Sequence, residues 1–84
     1  MPKRDSFSYL KELAISESGF IFDPQTGNSY VTNELGREII IRLRNGSTEK
    51  EIFKYILENY DVSEEILRRD YEVFLLRLRQ YGLI

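Results

Sequence analysis

The chain contains no cysteine and no histidine. Without cysteine there is no disulfide framework, so packing must stabilise the fold, and nothing points to an oxidising compartment. The two absences together remove the commonest metal ligands, the commonest general base and the strongest side-chain nucleophile, which strips most enzyme classes of their usual apparatus. A non-catalytic protein without a cofactor is therefore expected. No apolar run approaches the ~20 residues that span a bilayer, and Met1-Pro2-Lys3-Arg4-Asp5-Ser6 leads into no apolar signal region, so cytoplasmic residence without membrane association is expected. A basic excess is missing as well. Lys and Arg number 12 against 14 Asp and Glu, a net charge of -2, which disfavours nucleic acid as a partner because such binders use surplus positive charge to displace counterions.

What is present is an ordinary globular composition, 42% hydrophobic and 13% aromatic over 84 residues, enough for one core. Residues 1–9 read as a flexible N-terminal arm whose Phe7 and Tyr9 can dock back, and residues 10–84 as a single domain. From Leu10 to Thr32 the apolar pattern has period two. Leu13 with Ile15, Phe20 with Phe22, and Tyr30 with Thr32 predict three short strands, separated by the turn residues Ser16-Glu17-Ser18-Gly19 and Asp23-Pro24-Gln25-Thr26-Gly27-Asn28. So small a meander cannot cover its own apolar face, and the rest of the chain must pack on it.

From Asn33 onward the period is helical. Asn33 caps a first helix with Leu35, Ile39, Ile40 and Leu43 in one stripe, stopped by Asn45-Gly46. Thr48 and Glu51 form a capping box ahead of Ile52, Phe53, Ile56, Leu57 and Tyr60. Ser63 caps a third helix that ends at Gly82, after which Leu83 and Ile84 turn back. The expected class is α+β: a three-stranded antiparallel sheet followed by a three-helix bundle, winged-helix-like in its order.

The third helix carries two apolar stripes. Leu67, Tyr71, Phe74, Leu78 and Tyr81 share a narrow arc and form the core face. Val73 and Leu76 lie nearly opposite, flanked by Arg69, Arg77 and Gln80, with Ile66 at the boundary. In one reading the second stripe is also core, wedged under the N-terminal arm. In the other it walls a groove, with aliphatic side chains taking a partner's apolar anchors and the arginines its carboxylates. The opposite wall would be a sheet edge, where an extended peptide can add as a further strand. Ser29, Tyr30, Val31 and Thr32 are the expected edge, because the third strand runs straight into the helices. The acids Glu64, Glu65, Asp70 and Glu72 read as dipole and ion-pair partners rather than a catalytic set, and Gly27-Asn28 as a turn rather than a phosphate loop.

In this order the residues resemble the PqqD-like family, peptide chaperones also called RiPP recognition elements. The resemblance runs from about Ala14 to Ile84. It rests on Tyr30-Val31-Thr32-Asn33-Glu34-Leu35-Gly36, on Ile39, Ile40 and Leu43 before Asn45-Gly46, on Thr48, Glu51 and Ile52, on Tyr60-Asp61-Val62, and on Asp70, Phe74-Leu75, Leu78 and Gly82-Leu83-Ile84. The family's usual acid before the helix-stopping glycine is Asn45 here, which keeps the left-handed turn. The resemblance implies a carrier whose ligand, the leader of a ribosomally made precursor peptide, adds beside the third strand and against the third helix. It also implies a tailoring enzyme as partner, commonly a radical S-adenosylmethionine enzyme, in other systems a cyclodehydratase or lasso-peptide protease. Two rival readings remain: a winged-helix DNA-binding regulator supported by Arg68, Arg69, Arg77 and Arg79, and a subunit whose second stripe is a dimer interface. The expected state is a monomer or weak homodimer.

Overall fold

The structure, a computed structural model, describes residues 7–84. A short 3-10 helix, Ser8–Glu12, leads into strands β1 (Ala14–Ile15), β2 (Phe20–Phe22) and β3 (Ser29–Val31), then helices α1 (Glu34–Arg44), α2 (Glu49–Asn59) and α3 (Glu64–Gln80). The sheet is antiparallel in the order β1-β2-β3, so the α+β arrangement of sheet followed by helices is the one expected.

Each helix starts where a side chain can take up a free backbone N–H. The Asn33 side chain accepts from the Gly36 N–H at 2.8 Å and the Ser63 hydroxyl from the Ile66 N–H at 3.2 Å. Thr48 and Glu51 close a reciprocal box, each side chain accepting from the other's backbone at 3.2 and 2.8 Å. Helix α1 stops at Gly46 (φ +88°) and α3 at Gly82 (φ +77°). After Gly82 the Leu83 N–H reaches back to the Leu78 carbonyl at 2.9 Å, and the Leu83 side chain enters the core. That core joins Leu10, Leu13 and Ile21 to Ile39, Ile40, Leu43, Ile52, Ile56, Leu67 and Leu78, with the Phe53 and Tyr71 rings edge to face at 5.1 Å.

Two local expectations are corrected. Leu10 begins no strand but lies in the 3-10 helix, where it is fully buried, and Phe7 and Tyr9 pack on the core as the docking part of the arm was expected to do. The arm's residues 1–6 lie outside the described residues. In β2 the inward residue is Ile21, 2% exposed, and Phe20 and Phe22 face outward at 49% and 39%. Phe20-Ile21-Phe22 is apolar throughout, so alternation admits either parity, and the core selected the residue that pairs with the inward Tyr30.

The Tyr9 hydroxyl donates to the Asp23 carboxylate, 2.7 and 2.9 Å from its two oxygens. Asp23 is buried; it also accepts from the Gln25 N–H at 3.0 Å and shapes the loop to β3. Burial pushes its carboxyl up, but the hydrogen bonds from Tyr9 and from the Gln25 and Thr26 backbone outweigh this and hold it below its ordinary value. The backbone bond from Thr48 similarly lowers Glu51. Both groups favour the ionised form on folding, so their stabilisation is complete above the unfolded carboxyl values near pH 4 and is lost as pH falls through the folded ones. With no histidine in the chain, urea midpoints are expected to be flat between about pH 5 and 7 and to fall below about pH 4. Asp23→Asn should lower the plateau and flatten part of the acid limb. An acid limb unchanged by this substitution would show that Asp23 carries no such linkage.

Candidate functional site

A three-stranded sheet has two edges, and the helices treat them differently. Beside β1, Arg44 from α1 donates to the Leu13 carbonyl at 3.0 Å, and α1 packs against the 3-10 helix there. The β3 edge has its own hydrogen-bond parity. The Thr32 N–H donates to Gly19 O at 2.8 Å and the Asp23 N–H to Asn28 O at 2.9 Å. Between these bonded pairs the antiparallel ladder alternates, so Tyr30 turns its N–H and C=O toward β2, while Ser29 and Val31 turn theirs to the open edge.

Helix α3 lies across from this edge. The Tyr30 ring rests on Tyr81, centroids 4.8 Å apart and planes tilted by 34°. Between strand and helix is a depression of about 180 Å³, walled by Tyr30, Val31, Thr32, Phe74, Arg77 and Tyr81 over a floor that includes Ile21, Ile40, Leu78 and Leu83. A second, of about 250 Å³, lies between the start of α1 and α3, lined by Leu35, Gly36, Ile39, Asp70 and Val73. Asn33, Phe74 and Arg77 line both and join them into one groove. Gly36 keeps this junction tight. A Cβ on it would stand 2.9 Å from Phe74 Cε1 and 2.0 Å from Thr32 Oγ1, so a side chain there would displace the residues that shape the groove.

The groove has an apolar floor, the cation Arg77 at its middle and the acid Asp70 toward α1. Arg68 lies 3.7 Å from Glu64 and Arg69 3.8 Å from Asp70, whereas Arg77 forms no ion pair among the described residues. Acids thus interrupt the arginines of α3, and no continuous basic strip results. Among the described residues no three or more acids cluster as metal ligands would, and no helix is long and apolar enough to cross a membrane.

Of the residues singled out from sequence, Tyr30, Val31, Thr32, Val73 and Arg77 come together in the groove. Ser29 begins the strand at the same edge. Ile66, Arg69, Leu76 and Gln80 stay exposed on α3 outside the groove lining, so the second stripe is not the core that one reading made it. Phe74 and Tyr81, assigned to the core from sequence, are only half-buried and exposed respectively, and both wall the groove. Asn33, Leu35, Gly36 and Asp70 were missed. For Asp70 a signal existed: at about 100° per residue it falls with Arg77 on the seam between the two apolar stripes, next to Tyr81 and Phe74 at the edge of the core stripe. That seam is the part of a core helix a neighbouring groove can reach.

The model of a protein family described as coenzyme PQQ synthesis protein D (PqqD) matches residues 19–84. That span holds all of β2, β3 and the three helices, and hence every residue lining the groove. No curated protein and no solved structure matches the chain significantly.

Proposed function

This chain belongs to the PqqD family, and from that premise we propose that it is a non-catalytic carrier that binds the leader of a ribosomally made precursor peptide and presents it to a tailoring enzyme. The observation that carries the reading is the β3 edge, whose outward backbone groups at Ser29 and Val31 run beside an apolar groove. A peptide laid along it becomes a fourth strand, its main chain pairing with Ser29 and Val31 for affinity. Alternate side chains enter the groove between Tyr30, Thr32, Val73 and Phe74, where apolar anchors meet an apolar floor. Arg77, which no ion pair among the described residues engages, binds a carboxylate of the ligand. Ile66, Arg69, Leu76 and Gln80 extend the helical wall beyond the groove and add selectivity for peptide residues flanking the anchored segment. The partner enzyme is of the radical S-adenosylmethionine kind or another peptide-modifying class.

Titrating the isotope-labelled domain with leader peptides encoded in neighbouring genes should move the amides of Ser29–Thr32 together with those of Val73, Phe74 and Arg77. Affinities between micromolar and nanomolar correspond to roughly 8–12 kcal/mol, part of which is consumed in ordering the peptide. Spectra unchanged at millimolar peptide would remove the carrier reading, and a sequence-specific gel shift with a steep salt slope would replace it with DNA binding.

A further inference from the structure

The outer face of the sheet carries apolar side chains that the fold does not use. Val31 is 78% exposed and Phe20 49%. They are direct cross-strand partners, and because the bonded pairs lie on either side of them, theirs is a non-hydrogen-bonded pair, the kind in which side chains approach most closely. Phe22 adds a second exposed ring two residues along the same face. This patch is continuous with the open edge, since Val31 belongs to it and, like Ser29, turns its N–H and C=O outward.

Any strand that pairs with those Val31 groups must set one residue alongside Val31, and in a pleated sheet that residue projects to the same face as Val31. Its two neighbours project to the inner face, into the groove. We infer that the carrier reads its peptide on both faces. The groove takes the residues of one parity, and Phe20 and Val31 select a β-branched or aromatic residue at the intervening position, extending the Phe20–Val31 pair into a row of three across the sheet. The inference rests on strand addition at β3 as proposed above. It specifies the ligand further: an extended segment with three consecutive apolar positions rather than an alternating apolar and polar one.

The test is selection of a random-peptide display library on the immobilised domain, followed by titration of the best synthetic peptide into labelled protein. The selected segment should be apolar at the position beside Val31, identified by transfer between peptide side-chain protons and the Val31 methyls. The isosteric Val31→Thr should weaken binding about three- to five-fold, as expected for loss of a cross-strand apolar pair, and Phe20→Thr, which changes a residue one strand further from the peptide, by a smaller factor. Serine at that peptide position should cost the wild-type domain about the same three- to five-fold and the Val31→Thr domain much less. Additive losses, or a polar residue selected beside Val31 while the Ser29 and Val31 amides still shift, would overturn two-faced reading and leave the carrier proposal standing. Absence of any edge-amide shift would overturn both. Shifts confined to Phe20 and Phe22 would overturn it in favour of another occupant of the face.

Discussion

Replacing Gly19 by alanine is expected to lower the stability of the domain by about 3 kcal/mol, with a fall in Tm of about 10–20 °C. Gly19 adopts φ +89°, and a Cβ placed on it would lie 2.1 Å from the carbonyl oxygen of Thr32. The left-handed backbone alone costs a non-glycine residue roughly 1–2 kcal/mol. The clash is with backbone, which no rotamer change relieves, so β3 must move away from β2 and strain the bond by which the Thr32 N–H holds Gly19 O. For a domain of this size, total stability of about 4–13 kcal/mol follows from roughly 0.05–0.15 kcal/mol per residue, so the loss is a large share. Gly27, with φ +80° and open space around its Cβ position, is the control. Gly27→Ala should cost only the conformational part, about 1–2 kcal/mol. Equal urea midpoints for the two variants would show that the approach of Gly19 to Thr32 is not tight.

The second expected result separates binding from folding. Val31→Pro should leave the domain folded and weaken peptide capture by at least about tenfold, or 1.4 kcal/mol. The Val31 N–H points to the open edge, and proline is tolerated in edge strands where the missing donor would have faced solvent. An incoming strand loses that donor and meets the ring where its own carbonyl should sit. The adjacent substitution Tyr30→Pro should do the reverse, removing a ladder bond to β2 and unfolding the sheet rather than blocking its edge. Circular dichroism and calorimetric titration of the two variants would distinguish the cases. Full affinity in folded Val31→Pro would mean the peptide does not pair with this edge.

Much of the architecture was legible in the residues because the signals that set it are local. Asn33, Thr48 with Glu51, and Ser63 each satisfy an N–H no more than three residues away, and Gly46 and Gly82 stop their helices through their own backbone angles. The edge strand was legible for a similar reason. It is the last strand of a meander, and order alone makes it an edge.

The parity of β2 was not legible, since Phe20, Ile21 and Phe22 offer the same hydrophobicity to either face. Nor was the 3-10 helix at Ser8–Glu12, whose anchor is a hydrogen bond from Tyr9 to a carboxylate fourteen residues away. The same distinction runs through the groove. Val73 and Arg77 could be named from the helical wheel, but Phe74 and Tyr81 belong by spacing to the core stripe and become walls only because β3 and α1 stop short of covering them. Gly36 acquires its importance from Phe74 and Thr32, which touch it from α3 and from the end of β3.

By itself the sequence determined where α1, α2 and α3 begin and end, the order of sheet and helices and the presence of one apolar stripe too many on α3, because capping, turn geometry and periodicity act within about four residues. The tertiary structure alone decided which face of β2 is buried, which part of α3 meets β3 and which backbone groups remain open, because these are settled by segments remote in the chain competing for one core.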